Sequence, residues 1–440
     1  EPDESMNNIS IRYPRGKTLG GSSSINGLLY IRGQHRDYDL WRQSGNTGWG
    51  WDDVLPYFIK AENQERGKSE FHGVGGPLSV SDQRIHLPLL DEFQNAAEEF
   101  GIPKTKDFNT GDNHGCGYFQ VTQKDGFRCS TSVGYLNPIK SRKNLKILTN
   151  AQTKKVNIVD GRATSIDIDI KNKLATISAK KEIIICAGAI GSPQLLMLSG
   201  IGPGEDLKNL GIEVVSDLVG VGKNLQDHLQ ARPVFKTDLS TINTETSNYV
   251  KKALIGLQYI LTQRGPMTMA ASLGTGFLKT EDHLETPDIQ FHIQPFSADM
   301  PSKGTHTFSA FTASVLQLRP ESTGYLKLKS PNYLDHPAIH PNYLATVTDR
   351  KTIIKGVQIA RKIAQYSPLK PHIIEEYAPG SDVSLEDEEG TLDWVRRTAV
   401  TIYHPTGTCK MGTDEMSVVS PTLKVRGVEG LRVADASIMP

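Results

Sequence analysis

The chain has 440 residues, with 49 basic and 49 acidic side chains and a formal net charge of zero. That balance offers no electrostatic footprint for nucleic acid or for a basic membrane-binding face. Hydrophobic residues make up 37% and charged residues 22%, the profile of a globular chain long enough for two or three cores. Cys116, Cys129, Cys186 and Cys409 are scattered without a CxxC pair, which reads as free thiols in a reducing compartment, with no zinc or other metal site expected.

Residues 15–27 combine four glycines and four hydroxyl side chains with no acid. Glycine lets backbone approach a ligand closely, and free N–H groups in such a run can cradle phosphate. The composition also suits a packed turn, because Leu19, Ile25, Leu28 and Leu29 favour burial. Tyr38, Trp41, Trp49, Trp51, Tyr57 and Phe58 follow as an aromatic-rich piece better suited to packing than to ligand contact. Phe93, Ala96, Ala97 and Phe100 share one stripe of a helix near Pro88–Phe100, stopped by Gly101. Residues 111–126 read as loop and 128–136 as helical.

From Asn144 the apolar period falls to two. Residues 145–148 read as a short strand. Residues 156–159 and 165–170 form a hairpin around Asp160-Gly161, with a third strand over 175–179. Residues 183–187 are a continuous apolar run, the mark of a strand buried on both faces. They lead into a helix whose N-terminus favours an anion. The uncharged stretch 183–202 has the length of a membrane span, but its glycines, Pro193 and Gln194 argue for strand, turn and helix. Between 233 and 330 strands alternate. Ile289, Phe291 and Ile293 oppose Gln290, His292 and Gln294, which predicts antiparallel sheet with one wet face. Helices are expected over 348–366 and 391–397, and a last short strand over 431–436. A mostly parallel α/β part is thus interrupted by an antiparallel α+β part.

Four segments carry a resemblance. Gly16-Lys17-x-Leu19-Gly20-Gly21-Ser22-Ser23-x-Ile25-Asn26 resembles the first signature of the glucose-methanol-choline (GMC) flavoprotein oxidoreductases. Residues 188–202 are similar to the second signature, and Gly220 to His228 to the segment that follows it. Tyr403 to Gly412, with residues 427–440, resembles the catalytic C-terminal part. The motifs stand in family order and span nearly the whole chain. The resemblance implies FAD bound by a Rossmann-like α/β domain (residues 1–60, 121–230 and 396–440). It also implies an α+β substrate-binding domain built on antiparallel sheet (61–120 and 231–395). Leu19, Gly20, Gly21, Ser22, Asn26, Gly27, Leu28 and Leu29 would line the pyrophosphate and flavin. The backbone of Thr153 would meet the adenine, and Asp435 and Ala436 would approach the ribityl-phosphate region. Thr153 also reads as an ordinary strand residue, and Asp435 as a helix-capping acid.

His404 is the candidate base. Its neighbours Pro405, Thr406, Gly407 and Thr408 leave room for a ligand, and imidazole accepts a proton at neutral pH. The resemblance makes His404 the general base of alcohol-to-aldehyde oxidation, with hydride passing to flavin N5. The final acceptor would be a quinone or other electron carrier; the alternative is oxygen, with peroxide released. The family's GxGxxG loop and its second catalytic His or Asn fall outside this sequence, so we expect a chain cut at both ends, which read alone also suits an inactive, flavin-free scaffold. Asp227 and His228 read as a structural brace and Cys409 as a core thiol, and His292 stays open between an ordinary strand-face residue and a substrate contact. Leu273 stands where choline-oxidising members carry a glutamate, which points to a small uncharged alcohol. Ser272 and His292 replace the cysteine and arginine of fatty-acid photodecarboxylases, and the hydroxynitrile lyases have another C-terminal motif. A cytoplasmic location is expected, with peripheral membrane association and homo-oligomerisation left open.

Overall fold

The structure, a computed structural model, describes residues 1–246, 248–299 and 304–440. Its centre is an eight-stranded antiparallel sheet. In chain order the strands are β1 (Gly115–Tyr118), β2 (Leu229–Ala231), β3 (Val234–Thr237), β4 (Gly274–Leu278), β5 (Ile289–Gln294), β6 (Ala310–Gln317), β7 (Ile373–Ala378) and β8 (Val400–Thr401). The main path runs β7-β3-β6-β5-β4-β1, and β2 pairs with both β6 and β8.

The period-two alternation sorts β5 cleanly. Ile289, Phe291 and Ile293 pack with Leu90 and Phe93 of helix Pro88–Phe100 and with Ile353 and Val357 of helix Val347–Ile363. Close helix–sheet approach depends on Gly356, where a Cβ would meet Val315 Cγ2 at 2.6 Å. Gln290, His292 and Gln294 face the other way. Their side of the sheet is not the wet surface expected, since Gln290 and His292 are each 7% exposed. It roofs an internal cavity.

A second core lies beneath the first. Strand Ile183–Ile185 pairs in parallel with Leu431–Val433 and runs on into helix Gly188–Leu198. Leu196, Met197, Ile201, Val433 and Cys409 pack there. Burial of the strand on both faces was the expectation, but Ile184 is 52% exposed, because the strand has a single partner among the described residues. The expected hairpin and third strand form a meander, Ala151–Val159, Arg162–Ile170 and Lys173–Ser178. Asp160 and Gly161 both take positive φ, as a two-residue hairpin turn requires.

Four readings give way. Residues 111–126 contain the edge strand β1; its glycines suggested a loop, but Gly117 lies so close to the Thr105 carbonyl that a Cβ would collide. Residues 145–148 are unpaired, and the helix expected over 128–136 is a single turn, Ser132–Leu136. Helix Tyr249–Thr262 sits inside the stretch read as strands and contributes no buried residue, so its apolar spacing reports no core contact. Among the described residues no helix is long and apolar enough to cross a membrane.

Candidate active site

A cavity of about 940 Å³ separates the polar face of the sheet from residues 25–34. It brings Asn26, Gly27, Leu28 and Leu29 together with His228, His292 and His404. Residues 15–27 reach it through a tight local network. Ser23 Oγ donates to the Gly20 carbonyl at 2.6 Å, and Ser24 Oγ donates to that of Leu19 at 2.7 Å. Ser22 Oγ accepts from the Gly16 N–H at 3.2 Å. These hydroxyls therefore shape the loop itself. Arg128 clamps its exit, donating to Asn26 Oδ1 at 2.6 Å and to the Asn26 carbonyl at 2.8 Å. Leu28 follows with φ of 70°, and a Cβ at Gly27 would meet that of Ala271 at 2.6 Å. Backbone is thereby laid open along the cavity.

FAD fits these residues. Beside Asn26–Leu29 the cavity is unfilled by side chains, and Leu19 and Ile25 leave 46% and 56% of their surfaces uncovered. Leu19, Gly20, Gly21 and Ser22 are not in the cavity wall. Thr153, Asp435 and Ala436 are also outside the wall. Thr153 pairs with Ile168 in the meander. Asp435 ends strand Leu431–Val433, where Oδ2 accepts from Gly188 N–H at 2.9 Å and from Ser192 Oγ at 2.5 Å. Its Oδ1 accepts from Ser437 N–H at 2.8 Å. Asp435 thus places a carboxylate at the N-terminus of helix Gly188–Leu198 and caps the turn Ala436–Ile438.

Pairing of β2 with β8 sets His228 beside His404, with ring centroids 5.7 Å apart. Asp227, 6% exposed, braces this junction. Its Oδ1 accepts the His404 N–H at 2.9 Å, and its Oδ2 accepts from the hydroxyls of Thr401 and Tyr343. His228 Nε2–H donates to the Leu318 carbonyl at 3.1 Å, which leaves Nδ1 unpartnered among the described residues. His292 Nδ1 lies 3.3 Å from Ser272 Oγ. The His404 ring makes no side-chain hydrogen bond among the described residues and is open to the cavity. All three imidazoles are pushed toward the neutral form. Burial leads in each case, and it lowers His292 to about 3. For His404 the neighbouring His228, His292 and Arg15 act in the same direction.

Leu273 departs from expectation. It is fully buried in the apolar core, and the cavity wall at that point is Met269, Ala270 and Ala271. Gln230, Arg232, Gln290 and Gln294 line the cavity and were not singled out from the sequence. Alternation marks such residues as one face of a strand, but it does not say whether that face meets solvent or a cavity.

Residues 4–230 and 320–440 each match a family model described as GMC oxidoreductase. An alcohol dehydrogenase (acceptor) of Pseudomonas putida is 40% identical over 443 residues, covering 100% of this chain and 80% of the relative. The mitochondrial choline dehydrogenase of Mus musculus is 38% identical over 442 residues, covering 100% and 74%. Among solved structures, pyridoxine 4-oxidase from Mesorbium loti matches with a TM-score of 0.88 and 28% identity, over 100% of this chain and 82% of that one. An FAD-dependent oxidoreductase from Chaetomium thermophilum matches with a TM-score of 0.91 and 26% identity, over 99% and 84%. The chain belongs to the GMC oxidoreductase family.

Proposed function

We propose that this FAD-dependent enzyme oxidises a primary alcohol to the aldehyde, with His404 as general base. The observation that carries the reading is an imidazole opening onto a cavity bounded by Asn26–Leu29, its backbone N–H held by Asp227; its surroundings disfavour the protonated form. Oxidation removes a hydroxyl proton and a carbinol hydride. His404 accepts the proton as the C–O bond gains double-bond character. FAD, when bound, supplies the two-electron acceptor for the hydride. Leu19 to Ser22 and Asn26 to Leu29 would hold its pyrophosphate and ring, with Thr153 and the Asp435–Ala436 segment toward its other parts. His228, fixed in one tautomer, and His292 shape the wall around the reacting carbon.

The final electron acceptor is read as a quinone or another carrier, in keeping with the acceptor-dependent name of the Pseudomonas putida relative. Full-length protein loaded with FAD is expected to bleach anaerobically with a primary alcohol and to reduce an artificial quinone faster than it releases peroxide in air. Failure of a panel of alcohols to bleach the flavin would remove the reading, and stoichiometric peroxide would replace the carrier with oxygen.

A further inference from the structure

The charged side chains lining the cavity are Arg32, Asp37, Arg128 and Arg232. Three of them are held by other protein groups. Arg32 pairs with Glu62 at 3.0 Å and Asp37 with Arg319 at 2.8 Å, while Arg128 is bound by Asn26 and Ser23. Arg232 differs. It is 8% exposed and makes no hydrogen bond or ion pair among the described residues. After burial, the groups acting on it are the Tyr403 phenol, which lines the cavity, and then Asp299, which is engaged by His306 at 2.9 Å and does not line the cavity. A guanidinium stays charged in proteins, and leaving one buried without a partner costs several kcal/mol. An enclosed fork of this kind matches the two oxygens of a carboxylate.

Its position is informative as well. Gln230 lies in β2, and His228 and Arg232 flank the strand at alternate positions; all three line the cavity. His228 lies against His404, so the reacting end of a substrate belongs at that end. Four residues of extended chain set Arg232 roughly 13 Å further along. The cavity is therefore polarised, with neutral imidazoles at one end and an uncompensated cation at the other.

We propose that Arg232 is an anion-binding, specificity-determining residue, and that the substrate is an alcohol whose carbinol is separated by several carbons from a carboxylate. This rests on the alcohol-oxidation reading for the hydroxyl end and departs from the expectation of an uncharged substrate. It also means that a quaternary ammonium alcohol is disfavoured, because its cation would meet another cation.

The test uses full-length, FAD-loaded protein and two unreactive probes, hexanoate and hexanamide, titrated by calorimetry. Hexanoate is expected to bind at least tenfold more tightly than hexanamide. Arg232→Met should remove that advantage while leaving hexanamide affinity unchanged, and Arg232→Lys should restore part of it. In turnover, kcat/KM for 6-hydroxyhexanoate relative to hexan-1-ol should fall at least tenfold in Arg232→Met. Equal affinity for the two probes in the native protein, or equal loss for both in Arg232→Met, overturns the proposal. If hexanoate binds through Arg232 while no alcohol bleaches the flavin, the anion site stands and the alcohol reading falls.

Discussion

His404, open to the cavity, and His72, buried among carboxylates, favour opposite charge states at neutral pH. Around His404 burial leads, and His228, His292 and Arg15 act in the same direction, so the protonated form is disfavoured. His72 lies between Asp107 and Glu62, each at 2.9 Å, and these two carboxylates raise it to about 9. The signs follow. His72 binds its proton more tightly folded than unfolded, so its stabilisation is complete below about pH 6.5 and fades as pH rises through 9. His72→Gln should therefore flatten the alkaline side of a Tm-versus-pH curve; an unchanged curve would contradict the pairing. For His404 and His292 the unfolded chain takes up protons first, so stability drops as pH falls from about 6.5. Flavin reduction should accordingly be flat from pH 6 to 9, and an acid limb near 6.5 would mean that His404 is not held neutral. Asp227 acts through His404 by fixing its backbone. Asp227→Asn should slow reduction more than tenfold with FAD still bound, and a rate within twofold of native would reduce Asp227 to a packing role.

At the scale of elements, strand periodicity and helix stripes were readable because each has one apolar face that must meet a core. Helix Pro88–Phe100 ends where Gly101 turns left-handed, with φ of 110°, and the Asp160-Gly161 hairpin forms as its turn residues dictate. The polar face of β5 was equally plain, but sequence could not say that it roofs a cavity, because enclosure is a property of how β2, β5 and residues 25–34 come together. Arg232 and the buried side of Leu273 were illegible for the same reason. β1 was missed because Gly115 and Gly117 resemble turn residues, whereas close contact with Pro103 and Thr105 is what requires them. Helix-on-sheet packing yields its own expectation. Gly356→Val would drive a side chain into Val315, and overpacking of this kind costs about 1–3 kcal/mol. Thermal unfolding should detect it, and an unchanged Tm would show that the helix shifts without cost.

At the scale of the molecule, the polar face of the large sheet and residues 25–34 bound the cavity, and Ile25, Asn26, His228, Tyr403 and His404 bring parts of three sequence motifs to its wall. His404 and residues 26–29 line it directly, whereas Asp435 works at a distance by tying helix Gly188–Leu198 to strand Leu431–Val433. Family membership was legible from motif order alone, since glycine-rich turns and the His404 segment cannot be shuffled without losing this arrangement. The preferred alcohol was not, because it depends on which unpaired charge remains inside. The account's central claim is that His404 takes the hydroxyl proton. Anaerobic stopped-flow reduction of full-length, FAD-loaded protein tests it most directly, with hexan-1-ol and 6-hydroxyhexanoate as substrates. The native enzyme should bleach, and His404→Ala should retain FAD but be reduced about 10²–10⁴-fold more slowly. Reduction of that variant at a rate within a few fold of native would contradict the account.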